Sequence, residues 1–138
     1  MYQDRDQVRQ VYLDVWNKIQ QQRVLEPMEA LIAAVIEMHP EYHALLNQDS
    51  EIKSRDFTPD GGETNPFLHM GMHIALREQA GADRPNGIKP VYEKLIRDRG
   101  QHEAEHAMME CLGQVLWTAQ RDQSEPDETA YLECLKKL

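Results

Sequence analysis

Asn65-Pro66-Phe67-Leu68-His69-Met70-Gly71-Met72-His73-Ile74-Ala75-Leu76-Arg77-Glu78-Gln79 is the stretch around which the chain is organised. Asn65 can cap free backbone N–H groups, and Pro66 fits the first helical position, where no needed donor is lost. Gly81 supplies a stop signal. At about 100° per residue, Phe67, Met70 and Ile74 fall on one side and Leu68, Met72, Ala75 and Leu76 on the other. The helix is apolar nearly all round, which predicts burial. His69 and His73 sit four apart on it, so their rings share a face, and a buried imidazole must find a hydrogen-bond partner or a metal.

All six histidines repeat that spacing: His39 with His43, His69 with His73, and His102 with His106. On a helix this places two imidazoles about 5–6 Å apart at Cβ, close enough for two nitrogens to reach one cation. The last pair continues to Glu110, so nitrogen and oxygen donors lie along one stripe. Inward His and Glu side chains on neighbouring helices are how bundles build dinuclear iron or manganese centres. The expected ligands are His43, His69, His73, His102, His106 and Glu110. His39 precedes Pro40 and is expected as an N-cap, ranking below His43. Glu37 and Glu78 are further carboxylates whose expected place is the solvated surface.

His102-Glu103-Ala104-Glu105-His106 also satisfies H-E-x-x-H, in which two histidines hold zinc and the first glutamate activates water. Its upstream context is polar and turn-like, and no strand pattern offers a substrate-binding sheet. Glu103 is therefore expected in solvent, in a charged first turn. Met70, Met72, Met108 and Met109 would suit a soft copper site, but at helical spacing among Leu and Ile they are read as core filler. Trp117 falls on the histidine face and is read as a core aromatic.

Elsewhere the pattern is helical. Val8, Val11, Tyr12, Val15, Trp16 and Ile19 mark an amphipathic helix from Gln3 to about Val24. Pro27 restarts it, with Leu31, Ala34, Val35 and Met38 as the core stripe, until Pro40 breaks the run. A short helix then carries His43, Leu45 and Leu46, and the polar stretch Asn47 to Thr64 reads as the longest loop. Pro90 opens a helix ended by Gly100, and the next runs from His102 to about Arg121. Ser124 and Asp127 resemble a capping box before a last helix with Tyr131, Leu132, Leu135 and Leu138. These signals predict an all-α fold: one helical bundle of about five or six helices in a single domain spanning residues 1–138.

With 138 residues the chain can bury a core without staples. Cys111 and Cys134 have no C-x-x-C spacing and no secretory segment beside them, so they are expected as packing thiols in a reducing cytoplasm. The longest apolar run, Ala30 to Ile36, is far short of the roughly 20 residues that span a bilayer. A net charge of −9 argues against nucleic acid and anionic membranes as partners, because both require a basic face. A protein partner or a homo-oligomer fits the acidic surface.

The segments N-P-F-L-H-M-G-M-H at Asn65, H-P-E-Y-H at His39 and H-E-A-E-H-A-M-M-E-C-L at His102 resemble an uncharacterised bacterial family, domain of unknown function 1841. The resemblance extends over nearly the whole chain, through Asp83-Arg84-Pro85, Gly87-Ile88, Trp117 to Arg121 and Pro126-Asp127-Glu128. It implies no established activity. More distantly, the histidine pairs are similar to those of hemerythrin and other di-iron bundles, although the ligand order departs from that pattern and oxygen carriage is not implied. The expectation is a cytosolic protein holding iron, mononuclear or dinuclear, or zinc. The competing reading is a metal-free interaction domain with a buried histidine network.

Overall fold

The computed structural model describes residues 5–47 and 65–138. Apart from Asn47, the stretch expected as a long loop lies outside the described residues. Among those described, the chain is all-α, with no strand: α1 (Arg5–Gln20), α2 (Pro27–Glu37), a 3-10 turn (Pro40–Tyr42), α3 (His43–Leu46), α4 (Pro66–Ala82), α5 (Ile88–Arg99), α6 (Gln101–Asp122) and α7 (Glu128–Lys136). The all-α expectation holds, with seven α-helices among the described residues rather than five or six. No described helix is long and apolar enough to cross a membrane. The chain divides into two compact units, Met1–Ile74 and Ala75–Leu138, with the boundary inside α4.

In the first unit, Tyr12, Leu13, Val15 and Trp16 of α1, Ile32, Ala33, Val35 and Ile36 of α2, Leu46, and Phe67, Met70 and Ile74 of α4 form one apolar cluster. The inward stripes differ from the sequence expectation by one residue. Val8 and Val11 are exposed and Leu13 is buried; Ala34 is exposed and Ile32, Ala33 and Ile36 are buried. Short apolar residues on both flanks of a helix leave periodicity undecided about which flank faces in. α1 stops at Gln20, before Val24, where Gln22 takes a left-handed φ of 55°. The start of α4 matches its reading: Asn65 Oδ1 accepts from the N–H groups of Phe67 (3.0 Å) and Leu68 (3.2 Å). Leu68, however, is 64% exposed, so the helix is not buried all round.

In the second unit, α5 and α6 pack on each other and α7 packs on both. α4 runs past Gly81 and ends where Asp83 turns left-handed (φ 52°). The Asp83 carboxylate then accepts from the N–H groups of Gly87 (3.1 Å) and Lys89 (2.9 Å), so α5 begins at Ile88, before Pro90. Gly100, at φ 83°, separates α5 from α6 as expected. α7 is capped by Asp127, whose carboxylate accepts from Ala130 N–H at 3.0 Å, and not by Ser124. Cys111 and Cys134 are joined in a disulfide across 23 residues, which corrects their reading as packing thiols. A pairing between a helix interior and the helix that folds back on it leaves no local spacing signature.

Candidate metal centre

The first unit brings three histidines together, and Pro40 is the reason one of them arrives. Pro40 bars a helical continuation, so the backbone swings out at His39 (φ −125°, ψ 67°) and restarts as the 3-10 turn. The His39 ring is thereby turned inward to 1% exposure. Its Nδ1 lies 2.8 Å from the carbonyl oxygen of Val35. A carbonyl only accepts, so Nδ1 donates there, and in the neutral ring the lone pair is on Nε2.

α4 supplies the other two. His73 is fully buried and His69 half-buried one turn earlier. The His39 ring centroid lies 5.0 Å from that of His69 and 4.7 Å from that of His73, while His69 and His73 are 4.9 Å apart. Each of the three offers a ring nitrogen, and these nitrogens lie within 4.8 Å of one another. The Nε2 atoms of His69 and His73 are 3.3 Å apart. Tyr42 stacks on the outer side of His39, with centroids 5.3 Å apart and planes 8° apart, and holds that ring's orientation.

That spacing has two chemical readings. Two nitrogens 3.3 Å apart form an N–H···N hydrogen bond if one ring carries its proton there, or they point two lone pairs at a shared cation. For zinc–nitrogen bonds of about 2.0–2.1 Å at tetrahedral angles, adjacent ligand nitrogens are roughly 3.3–3.4 Å apart. The observed pair has that separation without any rearrangement. The wider limit of 4.8 Å asks for ring movement on the order of an ångström elsewhere in the group.

The remaining expected ligands have other surroundings. His43 is half-buried in the first unit, with Nε2 3.0 Å from the Ile36 carbonyl and its ring 4.6 Å from that of Trp16, so the structure groups His39, and not His43, with His69 and His73. On α6, His102 and His106 pack ring on ring, with centroids 4.0 Å apart. Glu110 is exposed, as are Glu37 and Glu78. Trp117 is 60% exposed under the Arg121 guanidinium, which corrects its reading as a core aromatic. Glu103 lies in solvent at 75% exposure, with an oxygen 3.7 Å from His102 Nδ1.

Glu105, like Arg9 in the first unit, is a buried charged group that sequence reasoning missed. Its carboxylate is fully buried in the second unit and accepts from Arg77 Nε (2.9 Å), Arg77 Nη2 (3.2 Å) and the Tyr92 hydroxyl (2.5 Å). Gln101 donates in turn to the Tyr92 oxygen at 3.3 Å. Burial, reinforced by the hydrogen bond to Glu105, pushes the Tyr92 hydroxyl up to about 12. The signal was present: Glu105 stands three and four residues before Met108 and Met109 on the apolar stripe of α6.

No curated protein and no solved structure matches the chain. The family model described as Domain of unknown function (DUF1841) matches residues 4–137, and the resemblance carried by the histidine segments is thereby established: the chain belongs to this family.

Proposed function

We propose that this protein binds one transition-metal ion through His39, His69 and His73. The observation that carries the reading is the convergence of three buried or half-buried imidazoles from two elements of the first unit, two of them at the edge length of a tetrahedral site. Neutral imidazoles favour borderline divalent ions such as zinc, copper, nickel or cobalt over magnesium or calcium, which take oxygen. A dinuclear iron centre uses bridging carboxylates, and Glu110 stands in solvent. A zinc-like ion is therefore preferred to iron.

Three protein nitrogens on a tetrahedral ion leave its fourth position to a further light donor. This reading makes the metal a clamp on the helices that supply its ligands, and it assigns no hydrolytic role to His102-Glu103-Ala104-Glu105-His106. The exposure of Glu103 supports that choice. The hydrogen bond from His39 to Val35 favours the same reading, because metal-bound imidazoles usually donate their second nitrogen to a fixed acceptor.

A metal-free network is the second reading, favoured by the hydrogen bond that the His69–His73 contact can form. Tag-free protein purified without chelator separates the two. The metal reading expects about one equivalent of a transition metal, and a melting temperature that rises by roughly 8 °C at saturating Zn(II), from about 2.7 kcal/mol at a hundredfold excess over Kd. Less than about 0.1 equivalent, with no shift on adding Zn(II), Cu(II) or anaerobic Fe(II), rejects it, because a ligand of the folded state must stabilise that state.

A further inference from the structure

The Cys111–Cys134 disulfide lies in the second unit and takes no part in the proposed metal shell. Its two sulfurs are not equivalent. Cys111 sits in the middle of α6 at 2% exposure, whereas Cys134, on α7, is half-buried and lines a cavity of about 280 Å³. Val115 and Ser124 line the same cavity, and Asp122, Glu125 and Asp127 make it acidic. α7 has nine residues, too few to be helical alone in water, and only Tyr131 and Leu135 are buried along it. Hydrogen bonds from the Tyr131 hydroxyl to Gln79 Oε1 (2.7 Å) and from Arg99 to the Leu138 carbonyl just beyond the helix (2.8 Å) also anchor it.

We infer that Cys134 is a thiol-exchange site at which a neutral or cationic dithiol opens this disulfide, releasing α7 from α6. A thiolate must reach a sulfur opposite the bond it breaks; Cys134 lines the cavity, whereas Cys111 is enclosed. In the first step the reductant's thiolate attacks Cys134 Sγ, a mixed disulfide forms there, and Cys111 departs as a thiolate that takes up a proton. In the second, the reductant's other thiolate attacks its own sulfur in that mixed disulfide. Cys134 leaves as a thiolate and is protonated. Two electrons pass to the protein, which gains two thiols, and the reductant becomes a cyclic disulfide. The acidic lining repels anionic thiols, so charge selects the reagent. A reducible bond also reconciles the pair with the reducing cytoplasm expected from sequence, where persistent disulfides are rare and reactive ones are the usual kind.

The test uses the full chain, oxidised and natively folded, treated with the monothiols cysteamine (cationic) and glutathione (anionic), followed by acid quench and peptide mapping. The mixed adduct is expected on Cys134. After correction for each reagent's thiolate fraction, cysteamine should react roughly five- to tenfold faster at low salt, a gap that closes at high salt. Dithiothreitol should then lower the melting temperature by about 10 °C, the loss expected when a loop of this size is released. As an independent arm, the free Cys134 of Cys111→Ser should alkylate with iodoacetamide at least about tenfold faster than the free Cys111 of Cys134→Ser. Adducts on Cys111, opening only at the rate of global unfolding, or equal cysteamine and glutathione rates at every salt concentration would overturn the inference.

Discussion

Glu105 in the second unit and His39 with His73 in the first are polar groups buried to the same degree, yet their surroundings are chemically opposite. Around Glu105 the charges match: one carboxylate receives the fork of one guanidinium and a phenol proton. Around the histidines, ring nitrogens of His39, His69 and His73 come within 4.8 Å of one another, and among the described residues this group of three is made of imidazoles alone. The first arrangement is complete as a hydrogen-bond network. The second gains most from a cation, which accepts several lone pairs at once. Burial of polar groups is thus not by itself a sign of a site; the balance of donors and acceptors is.

The largest effect expected tests the complete side of that contrast. Glu105→Ala leaves the Arg77 guanidinium in a buried setting without its carboxylate, and should destabilise by about 3–5 kcal/mol, equally with and without EDTA. Arg77→Met combined with Glu105→Leu should recover most of that loss in chemical denaturation. A deficit that depended on chelator would place Glu105 in the metal chemistry and remove the difference between the two buried clusters.

Next comes the cation side. His73→Ala and His39→Ala should each abolish the metal-dependent stabilisation, about 2.7 kcal/mol at a hundredfold metal excess, whereas His43→Ala should keep it and lose only packing against Trp16. Combining His73→Ala with His69→Ala should remove little more, because ligands of one ion act as a unit. Chelator-independent losses of about 1–3 kcal/mol in all variants would instead mark a structural histidine network.

A smaller change is expected outside both clusters. Asn65→Ala strips the cap from the helix that carries His69 and His73 and should cost about 1 kcal/mol, read in urea melts, while stoichiometric metal binding persists.

At neutral pH the last effect is absent. Burial raises Tyr12 and Tyr92 to about 12 from 10.0, so between those values the folded state holds protons that the unfolded chain has lost. Their contribution is present below pH 10 and falls as pH rises toward 12. Tyr92→Phe should flatten that alkaline slope in melts recorded across the window, and an unchanged slope would detach Tyr92 from the buried network.

Where a signal is local, the sequence made the structure legible. The Asn65-Pro66 start of α4 and the Gly100 break between α5 and α6 follow from backbone chemistry within a few residues. His69 and His73 were legible for the same reason, since their mutual placement depends only on helical spacing. His39 was not. It stands at the cap position before Pro40 as expected, but the break at Pro40 does not by itself say in which direction the 3-10 turn aims the ring. Trp117 was misread, and Glu105 passed over, for one reason: taking His102 and His106 to define the inner face of α6 rotated the helix by about one residue, which turned Trp117 inward and gave Glu105 no place in the core. The disulfide depends on how α7 returns along α6, which no spacing along the chain encodes.

X-ray absorption at the zinc edge of the stoichiometrically loaded protein addresses the central claim most directly. Three histidines and a further light donor should give a single shell at about 2.0 Å, with the multiple-scattering signature of imidazole, which loses imidazole scattering in His39→Ala. A sulfur shell near 2.3 Å, an oxygen-dominated shell, a wild-type spectrum unchanged by His39→Ala, or a failure of the protein to retain one equivalent of zinc would contradict it.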